Sequence, residues 1–187
     1  MGVVMKKYLK LLVILALFVS ILLPPAAYAY PTSCYLSVDI FPNEAPGICW
    51  ACCVSSCINY VKGADTTPYT MEVHTGYYGP APWSAIGTCL TDWGCVYNSA
   101  SSKPSFSTVQ ASIASGEPVI VSCYTIIGAI FGSGAHAVEL RGYYDGTNPS
   151  VSYFDPNYST YRAQYYSTFT VVDGWPIKRA IYNPHPA

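Results

Sequence analysis

Residues 46–60 read Pro46-Gly-Ile-Cys49-Trp-Ala-Cys52-Cys53-Val-Ser-Ser-Cys57-Ile-Asn-Tyr60, four cysteines within nine positions of a chain that has only three histidines. Three readings compete for this stretch: a metal site, a disulfide knot, or one nucleophile with packing residues behind it. Ala51, Val54, Ile58 and Val61 recur at helical spacing over Ile48–Val61, and Gly63 stands where a C-cap belongs. Helix geometry holds the four cysteine Cβ atoms apart, so any bridge runs instead to Cys34, Cys89, Cys95 or Cys123. A structural zinc site needs a second ligand pair. Cys49 and Cys52 have the right spacing, but Cys89 and Cys95 are separated by five residues and no histidine pair exists. The nucleophile reading explains more. Cys49 falls in the first turn of the helix, just after Pro46-Gly47, where free N–H groups and the positive dipole end favour a thiolate. The small residues Ala51, Cys52, Cys53 and Ser55 suit a helix buried in a core, where cysteine behaves as a small hydrophobe.

A thiolate nucleophile needs a base and a group to orient it. His185 lies in a proline-flanked tail and His74 in a polar loop. His136 opens a strand, preceded by Gly132-Ser133-Gly134-Ala135 and followed by Ala137, which leaves its ring room to face a neighbour across a cleft. Asp155, 19 residues on, closes the next strand in Val151-Ser-Tyr-Phe-Asp155-Pro156. Pairing of the two strands brings His136 and Asp155 side by side.

These residues carry a family resemblance. Gly47-Ile48-Cys49-Trp50-Ala51 resembles the Cys-Trp-Ala signature of papain-like cysteine peptidases. Gly116-Glu-Pro-Val-Ile-Val, Gly134-Ala-His136-Ala-Val-Glu-Leu-Arg-Gly142-Tyr143 and Tyr153-Phe-Asp155-Pro156 are similar to the compact bacterial branch of C39-like and staphopain-like peptidases. The resemblance spans nearly all of residues 30–187. It implies Cys49 as nucleophile, His136 as general base and Asp155 as the residue that holds the imidazole tautomer. The family usually has a Gln six residues before the nucleophile, whose amide donates to the oxyanion. Here that position is Asn43, one methylene shorter, with Glu44 beside it. The implied partner is a peptide or protein substrate, and no metal or organic cofactor is implied. Two other functions fit the same residues: acyl transfer (peptide ligation or transamidation) on the same fold, and a catalytically inactive secreted binding protein.

The rest of the chain frames this reading. Lys6, Lys7 and Lys10 precede the apolar run Leu11–Leu23, then a Pro-Pro break and Ala27-Tyr28-Ala29, the pattern of a cleaved signal peptide over residues 1–29. The run is shorter than the roughly 20 residues that span a bilayer, so no stable membrane insertion is expected after cleavage. Residues 30–187 then form one secreted, extracellular domain. Six basic and ten acidic residues remain in it, with no Lys/Arg cluster to neutralise phosphates, which excludes nucleic acid as a partner. Helices are expected first, at Ile48–Val61, about Pro82–Trp93 and Ser107–Ser115, with residues 64–103 otherwise loop-rich. Strands follow at Pro118–Tyr124, His136–Tyr144, Ser150–Phe154 and Phe169–Val172, with a hairpin turn at Asp145-Gly146-Thr147-Asn148. The fold class is α+β and papain-like: an N-terminal helical half, with the nucleophile helix packed on a C-terminal antiparallel β-sheet. Cys89 and Cys95 are the expected disulfide, and Cys123 an unpaired buried thiol.

Overall fold

The cysteine-rich stretch folds as helix α1 (Cys49–Lys62), and every residue from Cys49 to Ile58 is buried. Its single alanine, four cysteines and two serines keep the helix thin enough to lie close against the sheet. Gly63 closes it in the left-handed conformation, as the sequence predicts. The computed structural model describes residues 30–124, 135–158 and 160–187. The expected signal segment and the Gly132–Gly134 stretch before His136 lie outside these residues. Among the described residues no helix is long and apolar enough to cross a membrane.

Three more helices follow. Helix α2 (Pro68–Thr75) starts at Thr67, whose side chain accepts from Thr70 N–H, with Pro68 in the first turn. Helix α3 (Trp83–Asp92) matches its expected position, and α4 (Phe106–Ala114) is capped by Ser105 accepting from Thr108 N–H. Eight strands build the sheet: β1 (Ser33–Tyr35), β2 (Cys95–Ala100), β3 (Val119–Tyr124), β4 (Ala135–Tyr144), β5 (Ser150–Phe154), β6 (Tyr161–Tyr165), β7 (Val171–Val172) and β8 (Trp175–Pro186). The strand order is β2-β8-β3-β4-β5-β6, with β1 paired to the far end of β4 and β7 to β8, and every pairing is antiparallel.

The helical half therefore packs on an antiparallel sheet, but three details differ from expectation. Residues 64–103 contain α2 and β2 in addition to α3. The Phe169–Val172 strand contracts to Val171–Val172, because Phe169 is fully buried in the turn before it, against Tyr153. The longest strand, β8, has no counterpart in the sequence reading, since Pro176 and Pro184 break its pattern. Those prolines sit where the ladder tolerates them. Pro176 lies in the short β7–β8 hairpin, and Pro184 lies at a register shift beside Asn183, whose φ is 52°.

Two glycines are there for close approach. A Cβ on Gly142 of β4 would stand 2.2 Å from the Tyr35 ring and 2.9 Å from the Cys34 carbonyl, so a side chain there would push β1 off β4. Gly47, at φ 85°, faces Pro80, and a Cβ would come within 2.6 Å of that ring. The turn that leads into α1 is thereby locked onto the loop that follows α2.

All eight cysteines are free thiols. The expected Cys89–Cys95 bridge is not formed: both residues are buried in the core, and Cys95 lies beside Cys57 of α1 instead. Cys123 is buried and unpaired, as expected.

One core residue is out of character. Glu139 of β4 is fully buried against Cys53 and Cys57, and neither of its carboxyl oxygens has a hydrogen-bond partner among the described residues. The neighbouring Ser56 hydroxyl donates to the Asp39 carbonyl, at 2.9 Å. Burial, assisted by Asp39, holds the Glu139 pKa well above the ordinary carboxylate range, so the folded protein keeps this acid neutral. The unfolded chain ionises it above about pH 4.3, the ordinary value for Glu. Above that pH the folded state binds one more proton than the unfolded state, so stability falls as pH rises, by about 1.4 kcal/mol per unit until the folded group also ionises. Glu139→Gln keeps the shape and removes the titration. Urea unfolding at pH 5 and pH 8 is expected to show a smaller loss of stability across that range for the variant than for the wild type. Equal losses would mean that Glu139 is ionised in the fold.

Candidate active site

The site is built where α1 begins and where β4 and β5 meet at one end of the sheet. Cys49 is the first residue of α1, and the residue before it, Ile48, offers no side-chain cap. The first N–H groups of the helix are therefore not taken up by a cap and point past the thiol. Cys49 is buried, with Sγ 4.0 Å from the Ala135 carbonyl at the start of β4. Next to it comes His136, paired in register with Cys123 of β3. Its Nε2 lies 2.8 Å from Oδ1 of Asp155, a residue with no exposed surface immediately after β5.

That hydrogen bond assigns the ring. Nε2–H donates to the carboxylate, which leaves Nδ1 as the nitrogen for Cys49, also within hydrogen-bonding reach of the imidazole. Burial alone would push the His136 pKa down. The bonds to Asp155 and Cys49 outweigh it and raise the pKa to about 9, so the ring is an imidazolium at neutral pH. Six of the other seven thiols are held protonated by burial: Cys52 and Cys123 are pushed up to about 12, Cys89 to about 11, and Cys53, Cys57 and Cys95 also rise.

The other predicted residues fall into place differently. Asn43 is half-buried. Its N–H donates to the Pro156 carbonyl at 2.7 Å, and its Nδ2 donates to Asn157 Oδ1 at 3.2 Å. The Pro42 carbonyl lies 3.9 Å from Cys52 Sγ, so this segment runs alongside the first turn of α1. One Nδ2 hydrogen of Asn43 remains uncommitted. His74 is on α2 rather than in a loop, paired with Asp92 at 2.7 Å and edge-on to Trp93. His185 is on β8, bonded to the Asn183 carbonyl at 2.8 Å. Neither histidine touches Cys49 or Asp155.

Sequence reasoning missed the supporting roles of Arg162, Asp173 and Glu72, and the contact made by Trp50. Arg162 of β6 lies 3.5 Å from Asp155 Oδ2 and 2.9 Å from Asp173 Oδ1. The donor atoms of His136, Asp155 and Asp173 all lie within 4.8 Å of one another, and the guanidinium contacts both carboxylates. Trp50, next to Cys49, donates from Nε1 to the Gly79 carbonyl at 2.8 Å, and Glu72 accepts from Gly79 N–H at 2.9 Å. This pins the loop bearing the exposed Tyr77 and Tyr78 beside the start of α1. No local motif marks Arg162, Asp173 or Glu72, and the signature that contains Trp50 does not show its partner, because each contact joins segments far apart in the chain.

Comparison with known proteins agrees with this geometry. The Peptidase_C39 like family matches residues 35–177, a span that holds Cys49, His136 and Asp155. Among solved structures, the peptidase domain of Streptococcus ComA, a bi-functional ABC transporter involved in a quorum-sensing pathway, is similar with a TM-score of 0.58 at 15% identity. The match covers 80% of this chain and 99% of that domain, a likeness of fold. No curated protein sequence matches the chain. With the family matched over most of its length and the fold of a C39 peptidase domain, the chain belongs to the Peptidase_C39 like family and is a cysteine-type peptidase of papain-like fold.

Proposed function

We propose that the protein hydrolyses peptide bonds outside the cell through a Cys49-His136-Asp155 triad. The observation that carries this reading is the imidazole of His136, bonded through Nε2 to buried Asp155 with Cys49 within reach at the start of a helix. The Cys49 thiolate attacks the substrate carbonyl, and the oxyanion that forms is held by the Cys49 N–H and the free Nδ2 hydrogen of Asn43. The His136 imidazolium gives its proton to the departing amine, leaving a thioester. Water then attacks the thioester, His136 takes the water's proton, and the acid product leaves as the thiolate–imidazolium pair reforms. Asp155 keeps its hydrogen bond to Nε2–H throughout and holds the tautomer.

The test uses the mature protein and a thiol-reactive epoxide or vinyl sulfone at pH 6, where ordinary thiols are protonated. Cys49 is expected to carry the label. Labelling at Cys52, Cys53 or Cys57 in its place would sink the assignment. In the same preparation His136→Ala should abolish turnover, Asp155→Asn should reduce it less, and His74→Ala and His185→Ala should leave it unchanged. A wild type that labels at Cys49 but hydrolyses no peptide, while passing its acyl group to an added amine, would be an acyl-transfer enzyme.

Asn43 has its own signature. Its bond to the oxyanion matters in the transition state, so Asn43→Ala is expected to lower kcat by about 10²–10³-fold with KM nearly unchanged. If only a backbone N–H serves the oxyanion, the change stays below the factor of about 5 that ~1 kcal/mol allows. Export is tested by N-terminal sequencing of the protein recovered from culture medium, with Tyr30 expected as the first residue.

A further inference from the structure

Asp155 meets the imidazole with one oxygen only. Oδ1 accepts from His136 Nε2 at 2.8 Å and from the Asn157 N–H at 3.0 Å. Oδ2 is buried and has no hydrogen-bond partner among the described residues. An unpartnered anionic oxygen in a core is costly unless a cation lies against it, and Arg162 Nη1 is 3.5 Å away. Arg162 projects from β6, where it stands opposite Tyr153 of β5. Two contacts fix its guanidinium: Nη1 donates to Asp173 Oδ1 at 2.9 Å, and the group lies 4.2 Å from the centre of the Tyr158 ring. Asp173 is held in the left-handed region, at φ 47°, in the Asp173-Gly174 turn between β7 and β8. Non-glycine residues seldom adopt that conformation, and here it belongs to the carboxylate that holds Arg162 Nη1 beside Asp155. The convergence of His136, Asp155 and Asp173 within 4.8 Å has the form of a cation site, and the cation in it is a guanidinium.

We propose that Arg162, anchored by Asp173, is a positioning residue for the triad: it neutralises the outer oxygen of Asp155, keeps Oδ1 aimed at His136, and limits how tightly the two carboxylates hold the imidazolium. The proposal rests on the triad reading given above. The charged and titratable groups around His136 are Cys49 from α1, Cys123 from β3, Asp155 after β5, Arg162 from β6 and Asp173 from the β7–β8 turn. Removing the positive charge leaves two uncompensated anions near the ring. The imidazolium then holds its proton more firmly and donates it less readily to the leaving amine. Neutralising Asp173 as Asn keeps an Oδ1 acceptor for Arg162 Nη1 while taking away one of those anions, and so acts in the opposite direction. A merely structural role for Arg162 would move neither.

Two measurements on Arg162→Ala, Arg162→Lys and Asp173→Asn test this: kcat and KM on one peptide, and the rate of Cys49 alkylation by iodoacetamide as a function of pH. Arg162→Ala is expected to lower kcat about 10-fold or more, the scale of one charge-assisted contact, with KM nearly unchanged. Its alkylation profile should have the alkaline limb moved to higher pH. Arg162→Lys should restore most of the rate and the wild-type limb, and Asp173→Asn should move the limb to lower pH. A folded Arg162→Ala protein with wild-type kcat and an unmoved limb overturns the proposal. If circular dichroism shows that Arg162→Ala does not fold, the other two variants decide, and an unmoved limb in Asp173→Asn counts against it. Alkylation needs no substrate. Limbs that move in a protein without peptide turnover uphold the positioning role and reject the peptidase reading, whereas turnover with unmoved limbs rejects the positioning role alone.

Discussion

The hydrogen bond between His136 and Asp155 is the constraint around which the rest of the molecule is arranged. It joins two ionisable groups in a place with almost no water, where separating either from its partner leaves a charge uncompensated at a cost of several kcal/mol. The backbone meets that demand from three directions. The β4–β5 pairing sets the two residues at one end of the sheet. The Asp155-Pro156-Asn157 turn supplies an N–H to Oδ1 and, through the Pro156 carbonyl and the Asn157 side chain, holds the Asn43 segment. Arg162 covers the other oxygen from β6. One short turn thus ties the carboxylate of the proposed triad to the proposed oxyanion donor, so a disturbance of either is felt by both.

Burial also holds protonated six of the seven thiols other than Cys49. Helix α1 has to pass through the core to deliver its first residue to the cleft, and small side chains make that passage possible. Cysteines within the helix are then surrounded by apolar atoms and by the neutral Glu139, which keeps them protonated and inert. Cys49 differs through position alone: it is at the helix terminus, beside a cationic ring. The same residue type is filler at positions 52, 53 and 57 and the candidate nucleophile at position 49.

Local signals in the sequence were enough for α1, α3, α4 and the strands β3 to β5, because helical periodicity, a Gly C-cap and β-branched runs are properties of neighbouring residues. His136 and Asp155 were legible for the same reason, each lying at the end of a recognisable strand. Helix α2 carried readable signals as well, Thr67-Pro68 at its start and Gly76 at its end, but its weakly amphipathic sequence hid them among turn formers. Strand β8 was hidden for a different reason. Its prolines argue against a strand until the bulge at Asn183 and the β7 hairpin that accommodate them are known, and both exist only in the paired sheet. Arg162 and Asp173 were illegible for that reason too: their meaning comes from the β5–β6 register and from a turn conformation, neither of which any local motif encodes.

The same burial links the chemistry to the pH range in which the fold is secure. His136 has its pKa raised on folding from an ordinary 6.5 to about 9, so the stability it contributes is complete below 6.5 and is lost as pH rises through about 9. Glu139 binds its proton more tightly in the fold than out of it, so it also costs stability as pH rises, starting from the ordinary carboxylate range. Both slopes have the same sign, and both groups lie on β4. Loss of the imidazolium on the alkaline side therefore removes the proposed proton donor for the leaving amine and weakens the strand that carries it. Activity and stability are thus bound together above neutrality, a consequence of placing a neutral acid and a charged histidine three residues apart on one buried strand.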